Sequence, residues 1–268
     1  MPRLKVIPIG GLNEIGKNMT LLECNDQILI IDCGLSFPED EMYGIDIVIP
    51  DFSYLVENRE KIVGMIITHG HEDHIGAVPY LLKKIKLPVY GTKLTLGLIE
   101  NKLKEHRIKG DLRTIKPGDK IHLGCFNIET IRTTHSIADA VCYAIDTPVG
   151  TIFHTGDFKI DYTPVDGEPI DFCRLAEIGK KGVTLMMCDS TNSIRKGYTR
   201  SEKVVGETLE NIFMSSRSRI IIATFSSNVH RIQKIIDLAL LCKRKVAISG
   251  RSMVNVVDLA KELGYIKI

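Results

Sequence analysis

IVGMIITHGHEDHIGA, residues 62–77, joins an apolar run to a cluster of side chains that bind metal ions. The run IVGMIIT, residues 62–68, predicts a β-strand that is buried on both faces. The loop after such a strand lies at its carboxyl end, where open α/β folds have their ligand sites. This loop contains three histidines and an aspartate within six positions, namely His69, His71, Asp73 and His74. The stretch therefore predicts an α/β fold with a metal site at the end of a buried strand.

The spacing of these four side chains favours two metal ions over one. His69 and His71 are two residues apart, so an extended backbone aims them in the same direction. Gly70 permits an unusual backbone angle between them. A tetrahedral Zn²⁺ takes about four ligands, and one ion cannot easily collect that many from a single short loop. Two ions that share the loop are the simpler geometry.

Other strand ends carry residues that can complete such a site. IRTTHSIADA places His135 directly after a predicted strand, and TIFHTGDFK places Asp157 after another. Gly156 allows the chain to approach closely at that point, and a carboxylate such as Asp157 can bridge two ions. ILIIDCG ends with Asp32 near its strand terminus, where the carboxylate can orient a ligand histidine without binding metal itself.

The first part of the chain reads as short strands with helices between them. Strands are predicted in LKVIPIG, MTLLEC, QILIIDCG, LPVYG, LRTI, KIHLG, FNIETIRT, AVCYAID, GTIFHTG and VTLMMCD. Helices are predicted in AVPYLLKKI, KLTLGLIENKLKEH and DFCRLAEIGKKG. Blocks of strands flanked by helices predict two sheets with helices outside them.

The pattern changes near residue 195, which predicts one domain at 1–194 and the start of another at 195–268. SEKVVGETLENIFMSS predicts a helix capped by Ser201. The apolar runs RIIIATF and KVAISG predict two buried strands. The helices NVHRIQKIIDLALLC and RSMVNVVDLAKELG follow them. Alternation of strands and helices at this spacing predicts a parallel α/β unit.

Charge is unevenly distributed along the 268 residues, whose formal net charge is only +2. Residues 195–251 carry twelve Lys and Arg against four Asp and Glu, a net charge of +8, while residues 1–194 sum to −6. An acidic first part suits cation binding and a basic second part suits a polyanion. A solvated charged surface explains the same numbers equally well.

The cysteines and the N-terminus predict a cytoplasmic protein without a membrane segment. The seven cysteines form no C-x-x-C pair, and Cys24, Cys33 and Cys188 lie in or beside apolar runs, which predicts reduced core residues. The start MPRLKVIPIGG lacks the apolar core of a signal peptide. No apolar run approaches the length of about 20 residues that spans a bilayer.

H-x-H-x-D-H after a buried strand, with T-H-S and T-G-D later in the chain, resembles the metallo-β-lactamase superfamily over the first 190 residues. The resemblance implies an αββα sandwich. It also implies one ion held by three histidines, a second ion held by Asp73 and His74, and Asp157 between them, so that Asp73, His74 and Asp157 are the expected catalytic residues. One branch of the superfamily binds di-iron and has glutamate where this chain has His71. That difference favours Zn²⁺, with Mn²⁺ as the alternative. The histidines of the first ion are His69, His71 and His135.

Further stretches resemble the ribonuclease J family, a β-CASP group of nucleases in which an α/β domain is inserted into the metallo-β-lactamase domain. They are GGLNEIGKN, SFPEDEMYGIDIVIPDF, GDFKID, CDSTN, TFSSNVHRIQ and GRSM. The resemblance implies that a hydroxide held between two metals attacks an RNA phosphodiester and leaves a 5′-phosphate. It implies 5′-to-3′ exonuclease and endonuclease activity in RNA degradation and rRNA processing, on RNA with a 5′-monophosphate. A homo-oligomer and an RNA-degradation complex are expected for the full-length protein.

Two predicted strand-to-helix turns are candidates for phosphate binding. Ser227 and Asn228 follow RIIIATF, and Arg251 and Ser252 follow KVAISG. Helix N-termini offer free backbone N–H groups to an anion, and Arg251 adds a planar guanidinium that fits phosphate oxygens. Plain helix capping is an equally good explanation for Ser227 and Ser252. His230 is expected either to face a cleft or to lie on the helix surface.

Two further residues are assigned from their positions in the family motifs. Asp189, in CDSTN, is expected near the metals, where it supports a ligand without binding metal. Phe37, in a loop rich in proline and acidic residues, is expected either to stack on a base or to pack inward.

The family's remaining motifs lie after the inserted domain, and they include a late histidine that completes the second metal site. Because the chain stops at GYIKI, the ion of Asp73 and His74 is expected to be weakly held and nuclease activity to be low. Three alternatives remain open. They are a small-molecule hydrolase of the same fold, a DNA- or RNA-processing β-CASP relative, and a non-catalytic RNA-binding or assembly fragment of a larger degradation complex.

Overall fold

Two β-sheets form the centre of the first 189 residues in a computed structural model that describes residues 2–165 and 168–268. The first sheet has the strand order β1-β2-β3-β4-β5-β6. Strands β1 to β3 pair antiparallel, and β3 to β6 pair parallel. The bounds are β1 Leu4–Gly10, β2 Met19–Cys24, β3 Gln27–Ile31, β4 Ile62–Ile66, β5 Pro88–Gly91 and β6 Asp111–Thr114.

The second sheet has the order β11-β10-β9-β8-β7. Its strands pair antiparallel except for β10 and β11, which are parallel. The bounds are β7 Lys120–Leu123, β8 Phe126–Arg132, β9 Val141–Thr147, β10 Gly150–His154 and β11 Leu185–Met187. Cys188 follows the edge strand β11 and is exposed, so its predicted place in the core is wrong, whereas Cys24 and Cys33 are buried as expected.

Helices cover the outer faces of both sheets. Their bounds are α1 Ser53–Glu57, α2 Glu72–Ile75, α3 Val78–Lys84, α4 Lys93–Glu105 and α5 Phe172–Lys181. Leu21 and Ile30 of the first sheet pack with Leu81 of α3 in one core. Ile178 of α5 packs with Phe153 of the second sheet in another. Both sheets therefore have a helical layer on one side.

A third core lies between the two sheets, because side chains alternate across each strand. Leu22 and Ile31 of the first sheet pack with Tyr143 and Ile145 of the second, and all four are fully buried. The layers follow the order helix, sheet, sheet, helix. The predicted αββα sandwich is confirmed.

The chain divides into two compact units. The first comprises Met1–Arg132, Asp139–Asp157 and Asp171–Asp189, and the second comprises Thr133–Ala138, Phe158–Ile170 and Ser190–Ile268. The second unit contains the helices α6 Glu202–Ser215, α7 Val229–Leu241 and α8 Arg251–Glu262. Ser201 caps α6 as predicted, since its side chain accepts a hydrogen bond from the Lys203 N–H.

The two strands predicted in the second unit are wrong for this structure. Among residues 190–268, all of which are described, 219–225 and 245–250 form no strand. Ile221 is 87% exposed and Phe225 is 82% exposed. The physical reason is that an apolar run becomes a strand only where a neighbour accepts its backbone hydrogen bonds, and periodicity does not report that neighbour. Within the described residues, every helix is too short or too polar to cross a bilayer.

Candidate metal centre

The histidine cluster lies at the carboxyl end of β4, as the sequence predicts. The backbone continues beyond Ile66 into a buried loop, and His69 has no exposed surface. His71 has an extended backbone conformation and directly precedes α2. The first turn of α2 carries Asp73 and His74, of which His74 is only 2% exposed. A short helix thus brings two candidate ligands back towards the two that precede it.

Ligand atoms from three parts of the first unit converge at this point. Atoms of His69, His74 and Asp157 all lie within 4.8 Å of one another. The Asp157 carboxylate approaches both imidazoles, at 4.0 Å from Nε2 of His69 and 3.3 Å from Nε2 of His74. Asp73 lies beside them, with its carboxylate 3.6 Å from the same His74 nitrogen. The Asp157 carboxylate thus lies close to both imidazoles.

His69 and His71 provide a second group of candidate ligand atoms within the first unit, whereas His135 belongs to the second unit. His135 is three residues beyond Arg132, where β8 ends. Nε2 of His69 and Nδ1 of His71 are 3.0 Å apart. Two nitrogens bound to one tetrahedral Zn²⁺ would lie about 3.3 Å apart. The donor atoms therefore fit a metal ion.

Asp32 connects β3 to this loop and is almost completely buried. Its carboxylate accepts hydrogen bonds from the Thr68 backbone N–H at 2.8 Å and the Thr68 hydroxyl at 2.9 Å. It also accepts one from Nδ1 of His74 at 2.8 Å. That bond directs Nε2 of His74 towards Asp157 and Asp73, which is how carboxylates orient metal-binding histidines. The supporting role of Asp32 at a metal site stays a prediction.

Backbone hydrogen bonds fix α2 against the segment after β3. Cys33 N–H donates to the His74 carbonyl at 2.8 Å, and Leu35 N–H donates to Glu72 at 3.1 Å. Gly34 lies between them, and a Cβ there would be 1.5 Å from the Asp73 carbonyl oxygen. Only glycine permits this approach, so the position of the ligand loop depends on Gly34.

The loop after β10 presents Asp157 in a similar way. Gly156 has φ +56°, and its N–H donates to Nδ1 of His154 at 3.0 Å. The Asp189 N–H donates to the Thr155 hydroxyl at 3.0 Å. Asp189 is thus hydrogen bonded to the loop that carries Asp157.

The electrostatics of the cluster favour a cation. Burial opposes the charged imidazole of His74, yet Asp32 and Asp157 outweigh burial and raise its pKa well above the usual value. Burial lowers the pKa of His71, which favours the neutral imidazole that binds metal. Three carboxylates surround His74, namely Asp32, Asp73 and Asp157. Their combined negative charge suits divalent ions.

Residues 12–201 match the family model described as "Metallo-beta-lactamase superfamily". The chain belongs to the metallo-β-lactamase superfamily. Residues 217–268 match the model described as "Ribonuclease J, beta-CASP domain", so the predicted resemblance is confirmed in both parts of the chain.

Curated relatives named ribonuclease J cover almost the whole chain. Ribonuclease J of Synechocystis sp. is 50% identical over 98% of this chain and 42% of its own length. Ribonuclease J of Helicobacter pylori strain J99 is 50% identical over 98% of this chain and 38% of its own length. Ribonuclease J2 of Bacillus subtilis is 44% identical over 98% of this chain and 48% of its own length. This chain therefore spans less than half the length of these relatives.

A solved structure supports the fold. The crystal structure of a protein of unknown function from Enterococcus faecalis V583 matches with a TM-score of 0.69 and 17% identity, over 97% of this chain and 68% of that chain. At this identity the match shows the fold alone.

Two residues at this metallo-β-lactamase site were missed by the sequence reasoning. Thr68 donates its hydroxyl to Asp32 and lies 3.0 Å from Nδ1 of His69. The Asn18 amide nitrogen lies 3.3 Å from Asp73 Oδ2 and 3.2 Å from Nε2 of His74. Thr68 ends the run IVGMIIT, and Asn18 lies in GGLNEIGKN. Neither has the chemistry of a metal ligand, so residue type alone does not indicate a role at the site.

The residues assigned to RNA have more varied positions. Phe37 is 72% exposed, which excludes the inward packing considered for it.

In the second unit, the Ser226 and Ser252 hydroxyls are 2.9 Å apart, so the starts of α7 and α8 meet. Asn228 caps α7, because its side chain accepts from the Arg231 N–H at 3.1 Å. His230 is half-buried and lines a cavity of about 500 Å³, whereas Arg251 is exposed. Ser227 is half-buried.

Proposed function

We propose that the chain forms the metal centre and part of the RNA-binding surface of a metal-dependent ribonuclease. The observation that carries the proposal is the convergence of His69, His74 and Asp157 ligand atoms, with Asp32 hydrogen bonded to the opposite nitrogen of His74. About 50% identity to proteins named ribonuclease J supports RNA as the substrate. Sequence similarity thus suggests the substrate, and the site suggests the chemistry.

The proposed centre holds two divalent ions. Three imidazoles would hold the first, Asp73 and His74 would hold the second, and Asp157 would be available to both. Nitrogen-rich ligands favour Zn²⁺, and Mn²⁺ is the alternative. The three imidazoles are those of His69, His71 and His135.

The chemistry divides between the ions and the chain. When bound, divalent ions act as Lewis acids and lower the pKa of water, which makes hydroxide available near neutral pH for attack on a phosphodiester. The chain's own residues fix the geometry. Asp32 keeps the Nδ1 proton of His74 in place, so that Nε2 faces Asp157. The buried position of His69 keeps its imidazole away from solvent. Hydrolysis would leave a 5′-phosphate on the downstream RNA fragment.

The proposed RNA contacts lie on exposed or half-buried residues. The starts of α7 and α8 would bind phosphate through backbone N–H groups, with Arg251 as the cation. The exposed ring of Phe37 is suited to stacking on a base. The proposal also includes a preference for a 5′-monophosphate and both exonuclease and endonuclease activity. It further includes homo-oligomerisation, membership of an RNA-degradation complex and a cytoplasmic location. The remaining proposed contacts are Ser227, Asn228, His230 and Ser252.

Metal content after dialysis tests the first half of the proposal. The wild-type chain should retain at least one divalent ion, and Asp157→Asn should retain less metal. Asp111→Asn is the control, because Asp111 is an exposed carboxylate that pairs with Arg113. A wild-type chain that retains no Zn²⁺ or Mn²⁺ would overturn the metal centre.

RNA carrying a 5′-monophosphate, 5′-triphosphate or 5′-hydroxyl tests the second half. The chain should bind the monophosphorylated RNA most tightly, and Arg251→Ala should weaken that binding. Any cleavage should leave 5′-phosphate ends and stop when a chelator is added. Hydrolysis of a thioester or lactam by a chain that neither binds nor cuts RNA would favour a small-molecule hydrolase instead.

A further inference from the structure

The loop between β1 and β2 comprises residues 11–18 and ends at Asn18. Hydrogen bonds and an ion pair within the loop fix its conformation. The Gly11 N–H donates to the Glu14 carboxylate at 3.0 Å, and the same carboxylate pairs with Nζ of Lys17 at 3.1 Å. Gly16 and Lys17 both have positive φ, at 108° and 51°. These interactions close the loop on itself and determine where Asn18 lies.

Two glycines give the loop the space that it needs. A Cβ on Gly10 would lie 2.2 Å from the Lys17 carbonyl oxygen. A Cβ on Gly11 would lie 2.6 Å from Oδ1 of Asn18, and Gly11 also has φ +86°. Any side chain at either position would displace the backbone or the amide of Asn18. Because Gly10 and Gly11 have no side chains, the Asn18 amide has the space that it occupies.

That orientation points the amide nitrogen at the candidate ligands of the second ion. Nδ2 of Asn18 lies 3.3 Å from Oδ2 of Asp73 and 3.2 Å from Nε2 of His74. The backbone strengthens the link, since the Asn18 N–H donates to the Asp73 carbonyl and the Gly34 N–H donates to the Asn18 carbonyl, both at 3.0 Å. Asn18 is thus attached to the start of α2 through its backbone and its side chain.

We propose that Asn18 is a positioning residue of the metal centre, which holds the carboxylate of Asp73 in the orientation that binds an ion. The inference rests on the proposed metal-dependent function and extends it to a residue that is not itself a ligand. His74 already has Asp32 to orient it, whereas Asp73 is half-buried at the start of a four-residue helix. The Asn18 amide donates to Oδ2 of Asp73 and so restrains the orientation of this carboxylate.

The chemistry of the side chain explains why an amide suits this position. A carboxylate at this position would repel Asp73 and Asp157. The positive charge of a lysine would take the place of the charge that the metal ion brings. A neutral amide donates a hydrogen bond to Asp73 and adds no charge to the site. Partners of this kind outside the ligand set typically change metal affinity by about 10- to 100-fold.

Asn18→Ala tests the inference, with Asn127→Ala as the control, because Asn127 is an exposed amide on β8 that contacts His122. The two ions are titrated separately with Zn²⁺ in competition with a chelator, and Co²⁺ absorption reports the ligand geometry. Asn18→Ala should weaken the more weakly bound ion by about 10- to 100-fold and leave the other unchanged. In the metal-free chain, the ¹⁵N shift of His74 Nε2 should move. The control should change neither quantity.

Each possible result supports or contradicts the positioning role of Asn18. Unchanged affinity for both ions in Asn18→Ala would overturn the positioning role while leaving the metal centre intact. Equal weakening of both ions with a lower melting temperature would also overturn it, because that pattern indicates a general loss of structure. If the alanine variant does not fold, Asn18→Leu keeps the volume without the donor and is subject to the same criteria. A wild-type chain that binds no ion would overturn the proposed function, and this inference with it.

Discussion

Two apolar runs of the same length, IVGMIIT at 62–68 and RIIIATF at 219–225, have different structures although each leads into a polar turn and a helix. The first forms β4 between β3 and β5, and Ile66 is fully buried. The second forms no strand, and Ile221 is 87% exposed. An apolar run shows that a segment would gain from burial. Whether it is buried depends on partners elsewhere in the chain.

The turns that follow the two runs differ in the same way. The turn after β4 is fixed by hydrogen bonds from Cys33, Leu35 and Asn18 to α2 and by the Asp32 carboxylate. The turn after 219–225 has the Asn228 cap and the contact between Ser226 and Ser252. A site that binds metal ions needs ligands held within a fraction of an ångström, and in the first turn backbone hydrogen bonds from two other segments provide that restraint.

The largest expected effect comes from Gly34, where the ligand loop is most tightly packed. Gly34→Ala would place Cβ 1.5 Å from the Asp73 carbonyl oxygen, so α2 or the segment after β3 must move. We expect a loss of about 4 kcal/mol or more in unfolding free energy, measured by urea denaturation. Gly179→Ala is the control, since a Cβ there meets nothing within 4 Å and alanine in α5 should change stability by at most about 1 kcal/mol. Equal stability of the two variants would show that the loop is not held tightly.

The sequence predicted much of the candidate metal centre, because histidine and aspartate are recognisable as possible metal ligands from residue type alone. His69, His74 and Asp157 were found from residue type and from their places after strands, and the structure brings them together. Asn18 and Thr68 were missed because amides and hydroxyls occur throughout any sequence, and only the folded chain shows which of them meet a ligand.

The fold shows the same limit. The strands of the two sheets were predicted from short apolar runs. These runs form strands because their pairing partners lie within the first 189 residues. The strands predicted at 219–225 and 245–250 failed because local sequence gives no information about a pairing neighbour. The helices between them depend on local capping and periodicity, and α7 and α8 formed as expected.

An intermediate effect is expected at Asp32, which links β3 to the histidine loop. Asp32→Asn keeps the shape, and asparagine tolerates φ +59°. It replaces one acceptor oxygen by a donor, so Thr68 or His74 loses a buried hydrogen bond. We expect a loss of about 2–4 kcal/mol in unfolding free energy by urea denaturation. Asp111→Asn, which removes an exposed ion pair with Arg113, should cost at most about 1 kcal/mol. A smaller loss at Asp32 than at Asp111 would contradict the role assigned to this carboxylate.

The smallest expected effect tests the comparison itself, with the same substitution in each apolar run. Ile221→Ala should change unfolding free energy by no more than about 0.5 kcal/mol, because an exposed side chain loses little when it is shortened. Ile66→Ala in β4 removes a fully buried side chain and should cost about 2–5 kcal/mol. Urea unfolding of both variants, followed by hydrogen exchange to locate the affected unit, measures the difference. A cost at Ile221 close to that at Ile66 would mean that the run at 219–225 is buried in solution and that its hydrogen-bonding partner is present there.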